Sequence, residues 1–117
     1  MTLSPMDIDA EIIRISGRLD YQVGEIAKRS RAAAEAEVAY KLEYARQTLM
    51  VEGKTVAERE AAALLECGEL YAAYKGADAV LLAAQEAGRS LRAQIDALRT
   101  LSASHRAALV NAEGFGR

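Results

Sequence analysis

Apolar positions recur at helical spacing along nearly the whole chain. Ile8, Ile12, Ile15 and Leu19 advance by four and three, the pattern takes one extra step to Val23, and it continues through Ile26, Ser30, Ala33, Glu37, Tyr40, Tyr44 and Val51. This spacing predicts one helix over about residues 5–51, about 70 Å long at 1.5 Å per residue. A second run keeps a strict heptad in two interleaved sets, Val56, Ala63, Leu70, Ala77, Ala84, Leu91, Leu98, His105 and Glu60, Cys67, Tyr74, Leu81, Gly88, Ile95, Ser102, Leu109. It predicts a second helix over about 55–111.

The punctuation agrees with these bounds. In "LSPMD", Ser4 is placed to cap a helix whose first position is Pro5, with Asp7 in the first turn where a negative charge meets the positive end of the helix. In "LMVEGKTVAERE", Gly53 suits the left-handed residue that ends a helix, and Thr55 with Glu58 forms a T-x-x-E box that starts the next. The expected fold is therefore all-α, a long antiparallel two-helix hairpin with a turn at 52–54. Residues 1–112 read as a single domain and 113–117, the end of "AEGFGR", as a flexible tail.

A short turn forces the helices antiparallel, so positions whose numbers sum to about 107 should face each other. Ile12 then meets Ile95, Ile15 meets Leu91, Leu19 meets Gly88, Ile26 meets Leu81 and Ala33 meets Tyr74. Large repeatedly opposes small, as interdigitation requires. A single hairpin nevertheless leaves apolar surface over. Val38, Leu42, Ala45 and Leu49 form a second stripe opposite the Tyr40 and Tyr44 stripe, and helix two is apolar nearly all round at "AAALL" and "AVLLAA". Exposed patches of this kind mark association surfaces, so the hairpin is expected to form a homodimer or higher oligomer, a bundle of at least four helices. The expected interface residues are Val38, Leu42, Ala45, Leu49, Leu64, Leu65, Tyr71, Val80 and Leu82. Which stripe faces inward is left open by periodicity.

Composition narrows the function classes. Alanine makes up about a fifth of the chain, beside one proline, one phenylalanine and no tryptophan. That is the make-up of long helices. One cysteine and one histidine cannot assemble a zinc or iron-sulfur site, and Cys67 has no intramolecular disulfide partner. No cofactor is expected. The acidic "MTLSPMDIDAEI" lacks the basic start of a signal peptide, and no apolar run approaches the roughly 20 residues of a membrane span. A cytoplasmic protein without a membrane partner is expected.

Net charge is -2 and the pI about 5.5, which disfavours general coating of nucleic acid. The charge is uneven, however. Residues 32–72 carry four basic and eight acidic side chains, residues 73–106 five basic and three acidic. Arg92, Arg99 and Arg106 recur every seven residues, with Arg89 nearby, and could contact phosphates about 10 Å apart, aided by Lys28, Arg29 and Arg31. The plainer reading is a solvated flank whose aliphatic stems cover the seam. The same flank lacks the aromatics that would stack on bases.

Other candidate chemistry is thin. "GKT" suggests a phosphate loop, but "QTLMVEGKT" has no glycine where that motif needs its first one and a helix stands where it needs a strand. Tyr40, Tyr44, Tyr71 and Tyr74 should converge near Cys67, as core or interface more readily than as a pocket. His105 has no nucleophile beside it, and Glu58, Glu60, Glu66 and Glu69 sit on an exposed helix without a cleft. No catalytic residue is expected, and the chain reads as a non-enzyme. The phenylalanine-bearing tail is at most a docking peptide.

"YKLEYARQTL", "GKTVAERE" and "LRAQIDALRTLSASHRA" together make the chain resemble small alanine-rich helical proteins of actinobacterial phages and prophages. The likeness covers Tyr40 to Ala107 and rests on helix grammar. It implies a place among replication and recombination functions and carries over no site residue. The double apolar stripe and the missing catalytic groups lead to the expectation of a module that binds an unidentified protein partner, from phage recombination, replication or anti-defence. In length and architecture the chain is also similar to the secreted WXG100 hairpins. Its turn reads "VEGK" without tryptophan, and Tyr74 with Asp78 matches that group's secretion signal only loosely.

Overall fold

The computed structural model describes residues 3–52 and 55–115, and those residues are helical nearly throughout, with no strand among them. Three helices follow in order: α1 over Pro5–Met50, α2 over Val56–Glu66 and α3 over Gly68–Phe115. The fold is an all-α helical hairpin. Gly53, expected as the left-handed end of the first helix, lies outside the described residues.

Both predicted starts carry their caps. The Asp7 backbone N–H donates to Ser4 Oγ at 3.2 Å while the Ser4 N–H donates to the Asp7 carboxylate at 3.1 Å, so the two residues cap α1 reciprocally. Hydrogen bonding onto the Asp7 carboxyl from the Ser4 side chain first, and then from the Ser4 backbone N–H, holds it below its usual pKa. Thr55, in extended conformation, accepts from the Glu58 N–H at 3.2 Å and starts α2.

The second helix departs from the sequence pattern in two ways. It is interrupted at Cys67, whose φ of -97° and ψ of 13° fall in the bridge region. Hydrogen bonds from Cys67 N–H to the Ala63 carbonyl and from Tyr71 N–H to the Cys67 carbonyl, 3.0 and 2.8 Å, still span the interruption. Gly68 follows directly, and glycine's poor helix propensity makes this the cheapest place to break the ladder. Heptad arithmetic counts residues and is blind to a dihedral change that preserves the count. The helix also runs on to Phe115, past the predicted end near Asn111, since "NAEG" contains no proline to stop it.

The chain divides into two compact units. The first comprises Met1–Gly24 and Gln85–Arg117. Ile15, Leu91 and Ile95 form its buried cluster, with Leu19 and Leu98 packed against it and Ile8 fully buried. The predicted meeting of Ile15 with Leu91 is present. Low-numbered α1 residues accompany high-numbered α3 residues, Glu11 and Ile15 with Gln94, Ala97 and Leu98, as antiparallel helices require. Leu109, assigned to the seam by its heptad, is 57% exposed. Because α1 begins at Pro5, a register near 107 leaves it no residue opposite Leu109. Val23 is also exposed at 49%, whereas Gln22 is half-buried. The seam passes from Leu19 to Gln22 to Ile26 in unbroken steps of three and four, so the extra step was an artefact of preferring an apolar residue over a polar one.

The second unit is Glu25–Ala84. Its buried residues are small, Ala33, Ala63 and Cys67, and around them Ile26, Tyr40, Tyr44, Leu70, Tyr74, Ala77 and Leu81 are half-buried. Ser30, Val56 and Glu60, given to the seam by periodicity, are exposed. Val56 opens α2 and Glu60 is one turn further on, where the helix has only begun to pack.

Candidate interaction surface

The residues that inward packing leaves over lie mostly in the second unit. Val38, Leu42 and Leu49 on α1, Leu64 and Leu65 on α2 and Tyr71, Val80 and Leu82 on α3 are all exposed, Leu49 and Leu65 at 84%. Ala45 is exposed with them. Every residue named from the sequence as interface is thus at the surface of the single chain. Further apolar side chains, Met50 in this unit and Met6, Ile13, Tyr21, Leu101 and Val110 in the other, are exposed without having been singled out, and so are Val23, Val56 and Leu109, which periodicity gave to the seam.

Tyr71 has a second role. Its ring meets Tyr40 edge-on at 5.3 Å between centroids, while Tyr40 stacks on Tyr74 at 5.9 Å and tilts against Tyr44 at the same distance. The expected convergence of the four tyrosines is therefore real, and part of Tyr71 is spent inside its own chain. Lys75 Nζ lies over the Tyr74 ring at 4.8 Å, its charge facing the electron-rich face. Burial pushes the Tyr44 hydroxyl pKa up, reinforced by Glu60, Tyr40 and Cys67. The Cys67 thiol is pushed up in the same way, by burial first and then by Glu43 and Glu66. A buried thiol with a raised pKa holds little thiolate and is a poor nucleophile.

The arginine stripe is dispersed. Arg89 pairs with Glu86 on its own helix. Arg92 and Arg99 line a groove of about 250 Å³ with Leu19 and Ile95, and Asp96 lines the same groove between them. A carboxylate placed there repels a phosphate. Arg106 is exposed one heptad further on, and Lys28 and Arg29 both lean on Glu25 at 3.5 and 3.7 Å. Arg31 is exposed. His105 is half-buried at its seam position. Glu58, Glu60, Glu66 and Glu69 are exposed.

A groove of about 630 Å³ in the first unit escaped sequence reasoning. Arg14, Gly17, Arg18 and Tyr21 form one wall, Ala87, Ser90 and Gln94 the other. Glu11 holds Arg14 in a two-pronged pair at 2.8 and 2.9 Å, and Gln94 donates to Ser90 Oγ at 3.3 Å. Much of its polar capacity is thus met from within. Its signal in the sequence was the polar run at positions flanking the seam, which periodicity alone assigns to solvent.

Among the described residues no helix is long and apolar enough to cross a membrane, and no three histidine, cysteine or acidic side chains are grouped to hold a metal ion. No protein-family model, curated protein or solved structure matches the chain.

Proposed function

We propose that the protein is a non-enzymatic interaction module, a helical hairpin that self-associates and binds a partner protein through the exposed apolar surface of residues 25–84. One observation carries this reading. Val38, Leu42, Leu49, Leu64, Leu65, Val80 and Leu82 leave seven large aliphatic side chains exposed in a unit whose fully packed residues are two alanines and a cysteine. Each large aliphatic side chain gains about 1.5–3 kcal/mol when removed from water, so surface of this extent favours association over solvation. A setting among phage replication, recombination or anti-defence factors follows from the sequence alone and belongs to the same proposal, as does a cytoplasmic location.

Binding of nucleic acid by the arginines is the weaker reading, because Arg89 is already paired with Glu86 and Asp96 shares the groove of Arg92 and Arg99. Mass measured by light scattering across a concentration series tests the favoured one. We expect a mass above 12.6 kDa that rises with concentration, and a constant 12.6 kDa would refute self-association. Binding to labelled DNA at low salt that weakens steeply as salt is added would favour the arginines instead.

A further inference from the structure

The geometry of α1 points to one specific contact between copies, which rests on the self-association just proposed: two chains pair antiparallel through the outer stripe of α1. At about 100° per residue, Val38, Leu42, Ala45 and Leu49 all lie within about 40° of the direction opposite Tyr40, the ring that marks the inward face. Their steps of four, three and four over about 16 Å are those of a coiled-coil seam. The occupant such a stripe fits is another helix with the same period.

Two observations identify that helix as α1 of a second copy. On the outer face, Ala34, Glu35, Val38 and Ala39 line a shallow hole of about 380 Å³ whose lining is almost wholly apolar. The two alanines leave the space that a leucine knob fills, and Leu42 lies one turn further along the same stripe, 61% exposed. Antiparallel pairing places Leu42 of each copy in the hole of the other and sets Val38 against Leu42. The second observation is charge. Glu35 and Arg46 stand on the same flank of the stripe, about 40° and 60° from its centre. An antiparallel two-fold sets each flank against its own equivalent, so this register brings Glu35 of each copy beside Arg46 of the other. Arg46 pairs with Glu43 in the single chain and gains a second carboxylate on association. On the opposite flank Lys41 is already held by Glu37 at 2.6 Å and adds little repulsion. In this register the Val38 and Leu42 half of the stripe is complementary to itself in shape and charge, while Ala45 and Leu49 pass opposite Glu35 and Arg31 of the other copy.

The test is sedimentation equilibrium of the full chain over a wide concentration range, with helicity followed by circular dichroism. Leu42→Glu should raise the dimer dissociation constant by about tenfold or more at unchanged helicity. Glu35→Arg or Arg46→Glu alone should raise it about fivefold, and the double reversal Glu35→Arg/Arg46→Glu should return it to within about twofold of the starting value. Should Leu42→Glu disturb folding, the charge variants, at exposed positions, carry the test. Variants Leu42→Glu, Glu35→Arg and Arg46→Glu that each associate as tightly as the wild type overturn this contact while leaving self-association standing. Single reversals that weaken without rescue by the double overturn the antiparallel pairing. A wild-type chain that stays monomeric up to about millimolar concentration removes both proposals.

Discussion

The two units of the hairpin solve the same packing problem with different side chains. In Met1–Gly24 with Gln85–Arg117, branched aliphatic residues interlock, Ile15 with Leu91 and Ile95, and polar side chains flank them. In Glu25–Ala84 the fully buried residues are Ala33, Ala63 and Cys67, and tyrosines supply most of the inward bulk. Aliphatic side chains withdraw completely between two helices. The tyrosines do not, and Tyr40, Tyr44 and Tyr74 stay half-buried with their rings against one another. The second unit therefore ends up with a thinner core and a more apolar exterior, and those are two sides of one arrangement.

The largest expected effect sharpens this contrast. Ile15→Ala should cost about 3 kcal/mol in urea unfolding, since it removes a branched side chain from a closed cluster. Tyr40→Ala should cost less, about 1–2 kcal/mol, because Tyr44, Tyr71 and Tyr74 can close over the gap and the site is only half-buried. Equal costs would erase the distinction between an interlocked core and a stacked one.

Glycine replacements probe the outer faces. A Cβ added at Gly24 in the first unit or Gly76 in the second meets nothing within 4 Å. Both Gly24→Ala and Gly76→Ala should stabilise the chain by about 0.5–1 kcal/mol in the same assay. Destabilisation at Gly76 alone would reveal a close approach there that the single chain does not contain, and so a further contact between copies in the second unit.

The caps should give effects of the same small size, nearly equal in the two units. Ser4→Ala and Thr55→Ala each remove the acceptor for one N–H at a helix start and should cost about 1 kcal/mol. They differ in pH response. The Asp7 carboxyl is held below its unfolded value, so its contribution is present above a pH of about 4 and is lost as pH falls through the lower folded value. An acid titration of helicity should therefore show a low-pH decline that Asp7→Asn diminishes, whereas the Thr55 cap, a neutral hydroxyl, contributes no such step of its own.

Legibility of the fold followed the same physical lines. Caps are local, reading four residues at a time, and both were evident in "LSPMD" and "TVAE" before any tertiary contact was known. The antiparallel seam was legible because Ile15, Leu91 and Ile95 leave periodic helices few ways to meet. Val23 misled because hydrophobicity was weighed above unbroken period, and Gln22 took the inward place. The break at Cys67 was invisible because it alters dihedrals without adding or removing a residue. For the candidate site, each exposed apolar residue was legible, but the hole beside Val38 was not. It exists because of the spacing between side chains on one face, which depends on atomic volumes as well as residue order.

By itself the sequence determined that two long amphipathic stretches would be helical, where they would begin, and that one hairpin would not cover all of their apolar surface. Tertiary structure alone decided which stripe turned inward. Periodicity fixes angles around a helix, and two stripes half a turn apart are equivalent to it. Packing distinguishes them, because Tyr40 offers a broad ring that meets Tyr71 and Tyr74 at 5.3 and 5.9 Å and has Tyr44 tilted against it. Val38, Leu42, Ala45 and Leu49, smaller and unable to reach as far, remained on the outside.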